Sequence, residues 1–184
     1  MPSDYCTRCD SEATLEVAGE RPYPGSGLDN IILHDVQIRV CKCGESLLLK
    51  AAPTLQKVIA VCLAFKPVLL SGSEIRAMRS ILRLKSKDLA EKLGVGPEHL
   101  SRIENGHEPI SPQFDKLIRL RVALEFLESE DDVFRELFST ELLLKAIDEK
   151  RDEDQGNLEL HISYRGPYSS AETDPLEFTF EQAA

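Results

Sequence analysis

Five cysteines punctuate the chain, four of them in two close pairs, Cys6-x-x-Cys9 and Cys41-x-Cys43, and the fifth, Cys62, alone in an apolar run. Thiolates spaced this tightly, in a chain whose N-terminus carries no cleavable apolar segment, are expected to act as metal ligands sooner than as disulfide partners. Four thiolates on two tight turns make the closed tetrahedral site of a structural zinc, and Gly44 behind Cys43 suits a turn that aims backbone amides at sulfur. The one-residue gap in Cys41-Lys42-Cys43 shortens the reach of one ligand and leaves His34 open as a substitute fourth ligand. A redox role for Cys41 and Cys43 lacks thioredoxin-like surroundings. Cys62, between Val58 and Phe65, reads as a small buried hydrophobe.

A second group of side chains can read nucleic-acid bases. Glu98, His99, Ser101 and Arg102 stand on the polar side of a short apolar-periodic stretch; glutamate can accept from cytosine N4 and arginine can bind guanine with two hydrogen bonds. For Glu98 a solvated helix face is an equally open reading. The stretch Ser86 to Asn105, SKDLAEKLGVGPEHLSRIEN, has the special positions of a helix-turn-helix. Small Ala90 allows two helices to approach, Gly94 supplies the turn, and Leu89, Leu93, Val95, Leu100 and Ile103 fill the shared inner side. Pro97 suits a first helical position, so the second helix is expected from Pro97 to Glu104, stopping at Asn105-Gly106, and it is the one that would enter a major groove. A helical hairpin with no DNA role is the plainer alternative.

These side chains need elements to hold them. Ser71-Gly72-Ser73-Glu74 fits a capping box opening a helix with Ile75, Met78, Ile81 and Leu82 inward, and Ser111-Pro112 opens another carrying Phe114, Leu117, Ile118, Leu120, Leu124 and Leu127. Between the cysteine pairs, Thr14, Glu16 and Ala18 alternate against Ala13, Leu15 and Val17, and a second strand carries Ile31, Leu33, Val36, Ile38 and Val40. The turn at Tyr23-Pro24-Gly25-Ser26-Gly27 between them makes a hairpin that returns the chain to its start. A connector helix is expected from Thr54 to Phe65, ended by Pro67; its apolar run is too short to span a bilayer. Downstream, an amphipathic helix is expected over 131–150, a solvated linker over 151–156, and two strands with Leu158, Leu160, Ile162, Tyr164 and then Leu176, Phe178, Phe180 alternating, which should pack on the protein's own body, a dimer or partner contact being the alternative.

Charge divides with the motifs. Seven basic residues face eight acidic ones in 1–71, ten face seven in 72–122, and five face seventeen in 123–184, so only the middle segment of a chain of net charge −10 is basic. That is the asymmetry of a protein whose phosphate contacts come from one segment, and the modest surplus points to salt-sensitive binding by two copies. No nucleophile set, phosphate loop or open metal site is legible, so the chain reads as non-enzymatic.

Residues 73 to about 121 resemble the Cro/C1-type helix-turn-helix domain, with GVGPEHLSRIENG standing where that family has its recognition helix and exit turn. The resemblance implies an internal ion pair between Arg79 and Glu104. It places Glu98, His99, Ser101, Arg102 and Asn105 toward bases or phosphates, and Lys85, Ser86 and Lys87 near the backbone. Ser86 stands where the family usually has Gln, and Gly96 where it usually has a Ser or Thr cap. The order of the whole, Cys6 to Cys9, then CKCGE, a helical connector and this module, resembles the YgiT-type (MqsA-like) zinc-finger and helix-turn-helix antitoxins and regulators. It implies a homodimer on double-stranded DNA, often the protein's own promoter, with the zinc module engaging a partner such as a toxin ribonuclease.

The expected architecture is α+β: a zinc-bound β module at 1–50, a connector at 51–71, an all-α helix-turn-helix domain at 72–128, and an acidic C-terminal helix with a short β extension at 129–184. The function expected is that of a cytoplasmic DNA-binding transcriptional regulator of antitoxin type, with no membrane partner. The alternative is a protein-binding adaptor or toxin-neutralising antitoxin working through the zinc module.

Overall fold

The computed structural model describes residues 5–6, 8–48, 52–127, 158–164 and 176–182, in two compact units. The helix expected over 131–150 and the linker after it lie outside the described residues. The fold is α+β. One unit is built on a sheet of five strands: β1 (Thr14–Pro22), β2 (Ile31–Val40), β3 (Ser46–Leu48), β4 (Leu158–Tyr164) and β5 (Leu176–Gln182). The other contains α1 (Ala52–Ala64), α2 (Gly72–Ile81), α3 (Ser86–Leu93), α4 (Pro97–Glu104) and α5 (Pro112–Leu127).

β2 is the spine of the sheet. Its β-branched residues suit a strand with neighbours on both sides: β1 runs antiparallel along its whole length, while on the other side β4 lies parallel to its first half and β3 antiparallel to its last residues. β5 completes the order β1-β2-β4-β5. The two C-terminal strands therefore pack on the N-terminal hairpin. Register puts Ile31 beside Leu160, Leu33 beside Ile162, and Phe180 and Phe178 beside those same β4 residues. All six side chains share one side of the sheet, and the two phenylalanines meet edge to face at 6.1 Å.

β1 departs from its expected half-buried alternation. Leu15 and Val17 are 59% and 64% exposed, because β1 is an edge strand and their register partners on β2 are the polar Arg39 and Gln37. The apolar side of the sheet ends before this corner.

In the helical unit, Ser71 and Glu74 form the capping box, each side chain accepting from the other's backbone N–H. Ile75, Met78, Leu89, Leu93, Leu100, Ile103 and Ile118 are buried around Ala90. Gly72 is required by close approach: a Cβ there would lie 2.2 Å from the Ile103 carbonyl oxygen on α4. Of the apolar residues that α5 carries, Leu117 and Leu124 are exposed and Leu120 half-buried; α5 buries Phe114, Ile118, Val122 and Ala123, together with the polar Asp115 and Arg119. Cys62 is fully buried on α1, which pushes its thiol far up from the usual range.

Candidate metal centre and nucleic-acid interface

Antiparallel pairing of Thr14 with Val40 brings the loop before β1 to the loop after β2. Each loop is a tight turn. In the first, the Asp10 N–H donates to the Cys6 carbonyl at 3.0 Å and the Cys6 N–H to the Ser11 carbonyl at 2.8 Å. In the second, the Gly44 N–H donates to the Cys41 carbonyl and the Cys41 N–H to the Glu45 carbonyl, both at 2.9 Å, with Gly44 at φ 83°. That left-handed conformation is why glycine stands there.

The four sulfurs of Cys6, Cys9, Cys41 and Cys43 all lie within 4.8 Å of one another, with Cys6 to Cys43 at 3.7 Å and Cys9 to Cys41 at 3.4 Å. Ligands about 2.3 Å from a tetrahedral zinc stand roughly 3.8 Å apart, so the cluster can hold such a metal. The Arg8 amide points at the Cys6 sulfur at 3.4 Å, the kind of donor that stabilises a thiolate ligand. The shortened Cys41-x-Cys43 spacing still brings both sulfurs into the cluster, on one tight turn, with Cys41 buried and Cys43 exposed. The Ser11 amide and hydroxyl, with the neighbouring sulfurs, lower the Cys9 thiol to about 6. Cys41 goes the other way, to about 12: the Cys43 amide favours its thiolate, but the Cys9 side chain, burial and the remaining sulfurs hold it protonated. His34 is elsewhere, its Nε2 at 2.8 Å from Nδ1 of His161 on β4 and the two rings stacked at 5.0 Å.

The other site is built on α3 and α4. The turn between them has Gly94 at φ 69°, with the Val95 N–H donating to the Ala90 carbonyl at 3.0 Å. α4 starts on Pro97 and its inward side is locked to α2: Arg79 grips Glu104 through Nε at 2.6 Å and Nη2 at 3.0 Å, and gives Nη1 to the Leu84 carbonyl. That two-pronged pair fixes the orientation of α4.

With the inner side fixed, Glu98, Ser101 and Arg102 are exposed on the outer side and His99 is half-buried, its ring 5.7 Å from Phe114. Lys85 and Lys87 are exposed around the start of α3, with Ser86 half-buried between them and its hydroxyl without a hydrogen-bond partner among the described residues. Neither α3 nor α4 has a side-chain N-cap, so both leave N-terminal amides for an anion. Asn105 is engaged within the protein: its Oδ1 accepts from Arg76 and its Nδ2 donates to the Ser101 carbonyl at 2.7 Å, closing the end of α4. Arg76 and Glu108, which contact this surface, were not legible in the sequence. Arg76 reaches the end of α4 from α2, and Glu108 comes back through the exit turn, neither of which a one-dimensional pattern carries.

Fold and site define the class: an α+β protein joining a four-cysteine cluster to a helix-turn-helix DNA-binding domain. Residues 75–127 match the helix-turn-helix family HTH_3, and such a domain implies sequence-specific DNA binding. Neither a curated protein nor a solved structure matches the chain. No helix among the described residues is long and apolar enough to cross a membrane.

Proposed function

We propose that this protein is a non-catalytic, cytoplasmic transcriptional regulator that binds as a homodimer to a palindromic operator, with α4 in the major groove. Glu98, His99, Ser101 and Arg102 meet base edges, Lys85, Ser86 and Lys87 meet the phosphate backbone, and Asn105 holds the helix end against it. The observation that carries the reading is the division of α4 into an inner side locked by Arg79 and Glu104 and an outer side of polar groups. Cys6, Cys9, Cys41 and Cys43 bind a structural zinc that closes the hairpin, supplying folding energy to a small core and no open coordination position.

The function extends to autoregulation of antitoxin type, in which the zinc module engages a protein partner. Its support is the module order together with the exposed Leu15 and Val17 on edge strand β1, a surface of the kind that partner strands cover. The test is a salt-titrated binding assay against the DNA upstream of the protein's own coding sequence, with a scrambled duplex as control. Tight, sequence-dependent binding with a steep salt slope is expected; binding equal to the scrambled control would overturn the autoregulatory reading.

A further inference from the structure

Beyond α4, Gly106 at φ 71° and the His107 N–H donating to the Arg102 carbonyl at 2.8 Å turn the chain back over the outer side of the helix it has just left. Glu108 lands there. One carboxylate oxygen, Oε1, is 3.2 Å from His99 Nδ1, and the other, Oε2, is 3.6 Å from Arg102 Nε. A single carboxylate thus bridges two side chains one helical turn apart, one oxygen to each. His99 also packs against the ring of Phe114.

We propose that Glu108 is the specificity-determining positioning residue of this interface, orienting Arg102 so that its two Nη nitrogens face a guanine edge. The inference rests on the DNA-binding reading above and deepens it. An arginine on an exposed helix samples many rotamers, and ordering it on binding costs entropy. Engaging Nε with Glu108 occupies the inner edge of the guanidinium and leaves the outer fork, which has no protein partner among the described residues, ready for the paired O6 and N7 acceptors of guanine. His99 is ordered in the same way, with Nδ1 toward Glu108.

Charge separates two roles for the Glu108 carboxylate. A carboxylate on a DNA-facing surface opposes the binding of every duplex, because it repels phosphate regardless of sequence. An acid that merely repelled would lower affinity for all sequences alike; one that orders Arg102 and His99 raises discrimination at the same time.

The experiment uses the full chain and a duplex selected from a randomised pool by the wild-type protein, compared with the same duplex changed at the guanine that Arg102 reads, and with a scrambled duplex. In Glu108→Ala, and less so in Glu108→Gln, discrimination between selected and changed duplex is expected to fall about tenfold, while affinity for the scrambled duplex holds or rises. In an Arg102→Ala background the same Glu108 change should leave discrimination unmoved, a coupling that loss of folding or of charge alone does not produce. Affinity rising equally on all three duplexes, or staying level on all three, would overturn the positioning role. Wild-type protein that selects no sequence at all would instead overturn the DNA-binding reading beneath it.

Discussion

Arg119 and Asp115, one turn apart on α5, form a two-pronged ion pair whose side chains are 1% and 0% exposed, with Nε to Oδ2 at 2.8 Å and Nη2 to Oδ1 at 3.1 Å. The remaining donors of Arg119 reach the carbonyls of Leu63, Ala64, Lys66 and Val68, where α1 ends, and Asp115 accepts from the Leu70 N–H. A helix end buried without such partners would leave orphan carbonyls. This pair therefore ties the end of α1 to α5 within the helical unit. Arg119→Met should cost about 3–5 kcal/mol, since it strands a buried carboxylate and four carbonyls. Urea unfolding measures it, and a loss below about 1 kcal/mol would show that water replaces the guanidinium.

Arg83 and Gly94 close successive helices with the same backbone turn. The Leu84 N–H reaches the Arg79 carbonyl at 3.1 Å just as the Val95 N–H reaches that of Ala90 at 3.0 Å, yet Arg83 holds φ 56° with a side chain where Gly94 has none. Arg83→Gly relieves that left-handed strain and should stabilise the domain by about 1 kcal/mol. A lower thermal midpoint in the variant would show that the greater freedom of glycine in the unfolded chain outweighs it.

What the sequence made legible follows from which interactions are local. The capping box at Ser71, the turn at Gly94, Pro97 at the start of α4 and the alternation of β4 and β5 each depend on neighbours a few residues away, and each stands where expected. The four-cysteine cluster was legible because two short motifs flank one hairpin. Three features were not. Parallel pairing of β2 with β4 joins residues more than a hundred positions apart, so the meeting of His34 with His161 carries no local signal. The apolar pattern of α5 does not tell that Leu117 and Leu124 stay exposed while Asp115 and Arg119 are buried; the carbonyls at the end of α1 make burial of that charged pair favourable. Glu108 reads as a solvated loop acid until the exit turn of α4 sends it back.

Gly72 offers a test of how tightly α2 seats on α4. Its missing Cβ would fall 2.2 Å from the Ile103 carbonyl oxygen and 3.0 Å from the Glu104 carbonyl carbon, both backbone atoms that cannot rotate away. Gly72→Ala should destabilise by about 1–3 kcal/mol despite the better helix propensity of alanine, and should weaken DNA binding by displacing the end of α4. A stable variant with unchanged affinity would mean the two helices slide apart without cost.

Removing one thiolate should empty the metal centre. Cys9→Ser is expected to take zinc content from one per chain to none and to speed proteolysis of the hairpin, while the helical unit, which has its own core, stays protected. Elemental analysis together with limited proteolysis reads both effects. A full complement of zinc in the variant would remove Cys9 from the ligand set.

Arg102 separates base reading from phosphate attraction. Its side chain is 65% exposed and its ion pair is with Glu108, so Arg102→Ala should leave folding intact. On its selected duplex the variant should lose about 1–3 kcal/mol, with the loss confined to one base position. Lys87→Ala, at the start of α3, should instead weaken all duplexes alike and reduce the salt slope by about 1. The contrast between the two variants is the informative quantity: equal losses on selected and scrambled DNA from both would show that α4 supplies charge without reading sequence, whereas a base-confined loss from Arg102 alone places its guanidinium at a base edge.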